Sequence, residues 1–177
     1  MAAVDTARLS PLEVAKAALA EKPDGVVETI AAEAGVTPAE VLAILPPDCV
    51  TIAPSEAFEP IWTHLSGWGD VLTIVHTKDV VLEVVGALPP GSIGHGWFNI
   101  HGDSPVGGHI RIDHCRSIAF VDRMFHGRRS LSVWFMNGEG AAMLKIFVRR
   151  DAQKTLIAEQ VALFEQLRSQ YRGSVSG

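Results

Sequence analysis

The feature that most constrains this chain is a change in the spacing of its apolar residues at Val71. Before that point apolar side chains recur every three or four residues, which is the period of an amphipathic helix. From Val71 onward the period is two and β-branched residues dominate, which is typical of strands. A last stretch, from Asp151 to about Tyr171, returns to the helical period. The pattern predicts an α+β fold: short helices, then an antiparallel sheet, then one closing helix.

Capping residues predict four helices before the sheet. Ser10, followed by proline, opens the first helix, and Asp24 caps the second, which ends at Gly35. Thr37-Pro38-Ala39-Glu40 reads as a capping box for the third helix, and Ser55 opens the fourth.

Seven segments of strand length follow, at residues 71–77, 80–88, 96–102, 108–115, 117–125, 130–136 and 141–148. Short turns join them, and Asn137-Gly138 is the strongest hairpin signal. Consecutive strands with short links usually pair with each other, so we expect an antiparallel meander that forms a split-barrel-like sheet. A chain of 177 residues is long enough for one domain. We expect a helical cap at 1–69, packed with the sheet and C-terminal helix at 70–172, and a flexible tail at 173–177.

Charge and cysteine content limit the partners and the compartment. The formal net charge is -5 at pH 7, which argues against nucleic acid and against an anionic membrane surface. Residues 26–45 resemble a helix-turn-helix, but the second helix carries no cation for phosphates, so we interpret it as part of the cap. No apolar run is long enough to span a membrane, and no signal peptide is recognisable. Cys49 and Cys115 form no close pair, so we expect a cytoplasmic protein.

Motifs for catalysis or for zinc are weak. The sequence has no GxSxG, no P-loop and no glycine-rich dinucleotide motif, so we assign no catalytic residue. Six of the seven histidines fall between positions 76 and 126. In an unbroken strand His109 and His114 would point to opposite faces, which argues against a shared zinc ion.

His76 has two interpretations. It shares a strand face with Leu72 and Ile74, so it is either a core histidine bonded to a carbonyl or a neutral imidazole offered to haem iron. A haem site needs axial donors, apolar walls and cations for the propionates. The sequence offers candidates for each: donors His76 and His109; walls Trp97, Phe98, Phe120 and Met143; cations Arg111, Arg128, Arg129 and Lys145. The same residue types also build ordinary sheets, so composition leaves both interpretations open.

Several motifs occur together in a characteristic order, namely PDGVVETIAAEAGVTPAEVLAILPPD, WGDVLTIVHTKDVVLEVVGALPPG, HGWFNIHG, GGHIRIDHCRSIAFVDRMFHG and GEGAAMLKIFVRRD. In these motifs the chain resembles the HutX/ChuX-type haem-utilisation carriers of bacteria, over about residues 10 to 170. The resemblance implies a β-sheet or split-barrel core flanked by helices. It also implies a cytosolic homodimer that binds imported haem and passes it to a haem-degrading enzyme or another acceptor.

The resemblance also implies site residues. His76, in IVHTKD, and His109, in GGHIRID, match the two histidines implicated in haem contact in the family, and we expect them as iron ligands from different strands or protomers. Trp97, Phe98, Arg111 and Met143 complete the haem-binding residues that we predict. Some members use a tyrosine, but the only tyrosine here, Tyr171, ends the last helix. Two alternatives stay open: a haem-degrading, ring-opening enzyme, and a split-barrel protein that binds flavin or another planar ligand.

Overall fold

The computed structural model describes residues 9–173, so the predicted flexible tail lies outside the described residues except for Gly173. The helices are α1 (Pro11–Glu21), α2 (Val27–Ala34), α3 (Pro38–Ala43), α4 (Phe58–Leu65) and α5 (Ala158–Ser169). The strands are β1 (Val50–Pro54), β2 (Asp70–His76), β3 (Val81–Ala87), β4 (Gly91–Gly94), β5 (Trp97–Ile100), β6 (Gly108–Ile110), β7 (Cys115–Phe125), β8 (Arg128–Asn137) and β9 (Ala142–Phe147).

The strands form two antiparallel sheets. The large sheet has six strands in the order β1-β7-β8-β9-β2-β3, and the small sheet has the order β4-β5-β6. The predicted α+β class is confirmed, with helices first, a mostly antiparallel sheet and a closing helix. The chain is not one continuous meander, however, because β9 pairs back onto β2 and β1 pairs with β7.

The structure differs from the strand prediction at three places. β1 and β4 were not predicted, because β1 is short and ends in proline while β4 is the glycine-rich sequence GSIG. The segment predicted as one strand over 108–115 is a strand only to Ile110, and a 3₁₀ turn follows at Ile112–His114. His109 and His114 therefore need not point to opposite faces, because the strand that was expected to contain both residues ends between them.

Strand alternation divides the large sheet into two faces with separate cores. On the inner face, Phe120, Val133, Phe135 and Ile146 pack with α4, α5 and the small sheet. On the opposite face, which we call the cap face, Ala119, Val121, Trp134 and Met136 pack under α1–α3. Successive side chains of β7 and β8 thus belong to different cores, because side chains of a strand alternate between the two faces of the sheet.

The described part of the predicted helical cap, residues 9–69, does not lie on one side of the sheet. Only α1–α3 cover the cap face, whereas α4 packs on the inner face and β1 belongs to the large sheet. Val41 and Leu42 of α3 are buried in the cap core, which accounts for the helix-turn-helix-like pattern.

The capping boxes predicted at Ser10 and Thr37 are both present. The predicted cap at Asp24 is wrong, because Val26 precedes the first turn of α2 and the Asp24 carboxylate instead accepts a hydrogen bond from the Gly127 amide.

Hydrogen bonds at two places hold α1–α3 against the sheet. The buried Arg123 guanidinium of β7 donates to the carbonyls of Pro23 and Gly25, at 2.7 and 2.8 Å. At the other end the Ala39 amide donates to the Gly140 carbonyl at 2.9 Å. Gly140 has φ +77°, and a Cβ there would lie 2.7 Å from the Cβ of Thr37. A glycine at this hairpin is thus needed for both its backbone conformation and the close approach of α3.

We expect Gly140→Ala to destabilise the protein by about 2–4 kcal/mol, since a left-handed alanine alone costs roughly 1–2 kcal/mol and the clash with Thr37 adds to it. The matched control is Gly35→Ala, where φ is +72° but a Cβ would meet nothing within 4 Å. Urea unfolding should show the larger loss for Gly140→Ala. Equal losses for the two variants would contradict the close packing of α3 on this hairpin.

Candidate functional site

The helices α1–α3 cover only the β1, β7 and β8 side of the cap face. The rest of this face, which includes β9, β2, β3 and parts of β7 and β8, is the floor of an open cavity of about 770 Å³, which we call the cap-side cleft. Its lining includes the floor residues Leu72, Ile74, His76, Val81, Glu83, Val85, Lys145 and Phe147, the α2 residues Val27 and Glu28, and the hairpin residues Phe125, His126 and Arg128. Volumes of roughly 300–1,000 Å³ are usual for small-molecule and cofactor sites.

Strand register makes the floor of this cleft largely apolar. Leu72 lies between Phe147 on β9 and Val85 on β3. In the next row of the same face, Ile74 lies between Lys145 and Glu83. The cleft therefore offers an apolar surface bordered by polar groups, and that suits a planar ligand that has charged substituents.

His76 projects from this floor, at the end of β2. It shares the cap face with Leu72 and Ile74, as the alternation predicted, and its side chain is 21% exposed. Its Nδ1 lies 3.4 Å from Oε1 of Glu28 on α2. An imidazole whose Nδ1 faces a carboxylate is oriented so that Nε2 is the nitrogen available to bind a metal ion.

The cations near the cleft differ in how far they are already paired. Arg123 is bonded to the carbonyls of the α1–α2 loop, and the buried Lys145 ammonium pairs with Glu28 and lies 4.4 Å from the Trp134 ring centroid. Arg129, another predicted propionate partner, pairs with Asp122 and Glu165 instead. Within residues 9–173, Arg128 lines the cleft and forms no ion pair.

Four of the predicted site residues gather at a second cavity, of about 390 Å³, which we call the small-sheet cavity. These residues are Trp97, His109, Arg111 and Met143. The exposed His109 ring has its Nδ1 2.7 Å from the Asn99 side-chain oxygen, and because this oxygen can only accept, Nδ1 is the donor in the contact. Arg111 lies over the Trp97 ring at 5.2 Å and also pairs with Asp113.

The two cavities lie on opposite faces of the large sheet. On β2, His76 lines the cap-side cleft, whereas Thr73 and Val75 line the small-sheet cavity. Neighbouring residues of a strand point to opposite faces, so the sheet itself separates His76 from His109. Within one chain the two predicted ligands therefore face different cavities.

The structure corrects two of the predicted pocket walls. Phe98 is 2% exposed, and its ring packs against Phe58 and Trp62 at centroid distances of 5.0 and 5.4 Å. Phe120 is fully buried in the same core. Both rings stabilise the inner-face core and are not available to a ligand.

Sequence reasoning missed the residues that complete the cap-side cleft. Glu28, Phe147 and Trp134 come from α2, β9 and β8, and only strand register and helix placement bring them to His76. Lys145 and Arg128 are two of the cations predicted for the propionates; both line the cleft, but Lys145 pairs with Glu28. Among the described residues no group of three or more His, Cys, Asp or Glu side chains is arranged to hold a metal ion by itself. No helix in this part of the chain is long and apolar enough to cross a membrane.

Comparisons with known proteins point to one family. The model of the family described as "Haem utilisation ChuX/HutX" matches residues 51–167. The chain is 29% identical over 155 residues to the "Intracellular heme transport protein HutX" of Vibrio cholerae, covering 87% of this chain and 80% of that protein.

Solved structures agree with this result. A protein of Agrobacterium tumefaciens has 60% identity and a TM-score of 0.85, with 92% of each chain covered. The structure described as "the Heme Binding Protein ChuX" has 39% identity and a TM-score of 0.81, covering 89% of this chain and 99% of that one.

Proposed function

The chain belongs to the ChuX/HutX haem-utilisation family, and from this we propose that it is an intracellular haem carrier. It would bind iron protoporphyrin IX reversibly and deliver it to a haem-degrading enzyme or another acceptor. The related HutX is named a transport protein and ChuX a haem-binding protein, which supports a carrier rather than a catalyst.

We propose that haem binds in the cap-side cleft with His76 as the iron ligand. The observation that carries this assignment is the position of the imidazole, which stands at the end of an apolar floor inside the larger of the two cavities. The macrocycle would lie on Leu72, Val85 and Phe147, and Arg128, which also lines the cleft, would pair with a propionate. The small-sheet cavity on the other face has about half this volume.

His109 has a different part in this proposal. With Trp97, Arg111 and Met143 it forms a smaller, shallow site on the other side of the sheet, where both His109 and Trp97 are exposed. An exposed imidazole beside an indole suits a transient contact with haem during uptake or transfer. Such a contact would give haem a path to and from the principal site, whose dissociation rate sets the residence time.

We further propose that the protein is a homodimer. The edge strand β3 is exposed and rich in apolar residues, with Val81, Leu82 and Val85 each about half exposed. An apolar edge strand invites pairing with another chain unless it is covered. A second copy of the chain would cover this edge.

Hemin titration tests the site assignment. We expect one intense Soret band at saturation in the wild-type protein, and we expect His76→Ala to shift this band and to weaken binding at least tenfold, because it removes the donor nitrogen. His109→Ala should leave the position of the band unchanged. The matched control is His114→Ala, an exposed histidine outside both cavities.

If His109→Ala, and not His76→Ala, shifts the band and weakens binding, the haem site is the small-sheet cavity. A wild-type protein that takes up flavin mononucleotide and no hemin would contradict the haem-carrier proposal altogether.

The carrier proposal also makes a prediction about turnover. In the presence of a reductant, oxygen and catalase, the Soret band of the haem complex should stay constant, because a carrier releases haem chemically unchanged. Added apomyoglobin should remove the haem from the complex. Steady loss of the band with biliverdin formation under these conditions would identify a ring-opening enzyme instead.

Sedimentation velocity tests the dimer. We expect a species of twice the 19.0 kDa chain mass, and Leu82→Lys should shift it toward the monomer because a charge on the edge opposes strand pairing. Glu21→Lys, which places a lysine on the exposed end of α1, is the control. A monomeric wild-type protein at micromolar concentration would rule out the interface.

A further inference from the structure

Glu28 lies on α2 at the edge of the cap-side cleft, and its carboxylate contacts side chains of two strands. Its carboxylate comes from α2 and pairs with the ammonium of Lys145 on β9. The same oxygen, Oε1, lies 3.4 Å from Nδ1 of His76 on β2. One carboxylate oxygen thus faces both a buried lysine and the proposed iron ligand.

Lys145 fixes the position of this carboxylate. Its side chain is only 6% exposed and its ammonium lies above the Trp134 ring. A lysine that is almost fully buried needs an anionic partner, and Glu28 is the only carboxylate paired with it in the described part of the chain. Glu28 is therefore held in place by an ion pair that does not involve His76.

The contact with His76 is electrostatic in this structure. A separation of 3.4 Å is longer than the usual N–H to oxygen hydrogen bond. A carboxylate at this place favours the tautomer that carries its proton on Nδ1, which leaves the Nε2 lone pair for a metal. Histidines that bind metals commonly donate their other ring N–H to such a group, which orients the ring and raises its basicity.

We propose that Glu28 is a positioning residue for the haem ligand: its carboxylate, held by Lys145, accepts a hydrogen bond from Nδ1 of His76 when Nε2 binds iron. This inference rests on the proposed function and adds a role for α1–α3. Through Glu28, α2 would set the strength of the iron–histidine bond and thereby the rate of haem release.

The test compares Glu28→Gln with the wild-type haem complex. In the ferrous complex, resonance Raman spectroscopy should show the iron–histidine stretching band at a lower frequency in the variant, because a neutral amide is a weaker acceptor than a carboxylate. Haem transfer to apomyoglobin should become about tenfold or more faster, as is usual when an outer partner of a metal ligand is removed. Glu33→Gln, the same charge change on an exposed position of α2, should change neither quantity.

A second variant separates positioning from folding. Glu28→Gln leaves Lys145 buried without its partner, so the double variant Glu28→Gln, Lys145→Met removes both charges and keeps an apolar chain at position 145. The double variant should retain the lowered stretching frequency with a urea midpoint close to that of the wild type.

Each result bears on the inference in a defined way. If either glutamine variant binds haem with the wild-type stretching frequency and transfer rate, Glu28 does not position the ligand, and the haem-carrier proposal is unaffected. If His76→Ala itself leaves the ferrous spectrum unchanged, His76 is not the ligand, and both the site assignment and this inference are wrong.

Discussion

Alternation of side chains across the six-stranded sheet is the constraint on which the rest of the structure depends. One set of alternate residues forms the inner core with α4, α5 and the small sheet. The other set forms the cap face, and three short helices are too few to cover it. The uncovered part becomes a cleft whose floor is apolar because the same alternation placed Leu72, Val85 and Phe147 there. The candidate site is thus a consequence of incomplete coverage of a sheet.

The same constraint separates the two histidines that the family resemblance groups together. His76 and His109 lie in different cavities because the sheet stands between them. Their surroundings also differ. His76 is half-buried beside a carboxylate, and His109 is exposed beside an amide oxygen and an indole. We therefore give His76 the role of retaining haem and His109 the role of exchanging it, which together are what a carrier requires.

Much of the fold was predictable because local signals determine it. The capping boxes at Ser10 and Thr37 and the change of period at Val71 each depend on residues close in sequence, and each is confirmed. The pairing of β9 with β2 and the division into two sheets were not predictable, because they depend on contacts between distant strands. For the site, alternation correctly placed His76 with Leu72 and Ile74. It gave no indication that Phe98 is buried or that Glu28 lies beside His76, since both follow from tertiary packing.

We propose that haem lies on the cap face of the large sheet, bound through Nε2 of His76. A crystal structure of the hemin complex would decide whether this proposal holds. We expect iron bonded to His76, with the macrocycle against Leu72, Val85 and Phe147 and the cap helices at its edge. A macrocycle found against Trp97 on the other side of the sheet, with iron bonded to His109 and the cap-side cleft free of pigment, would contradict it.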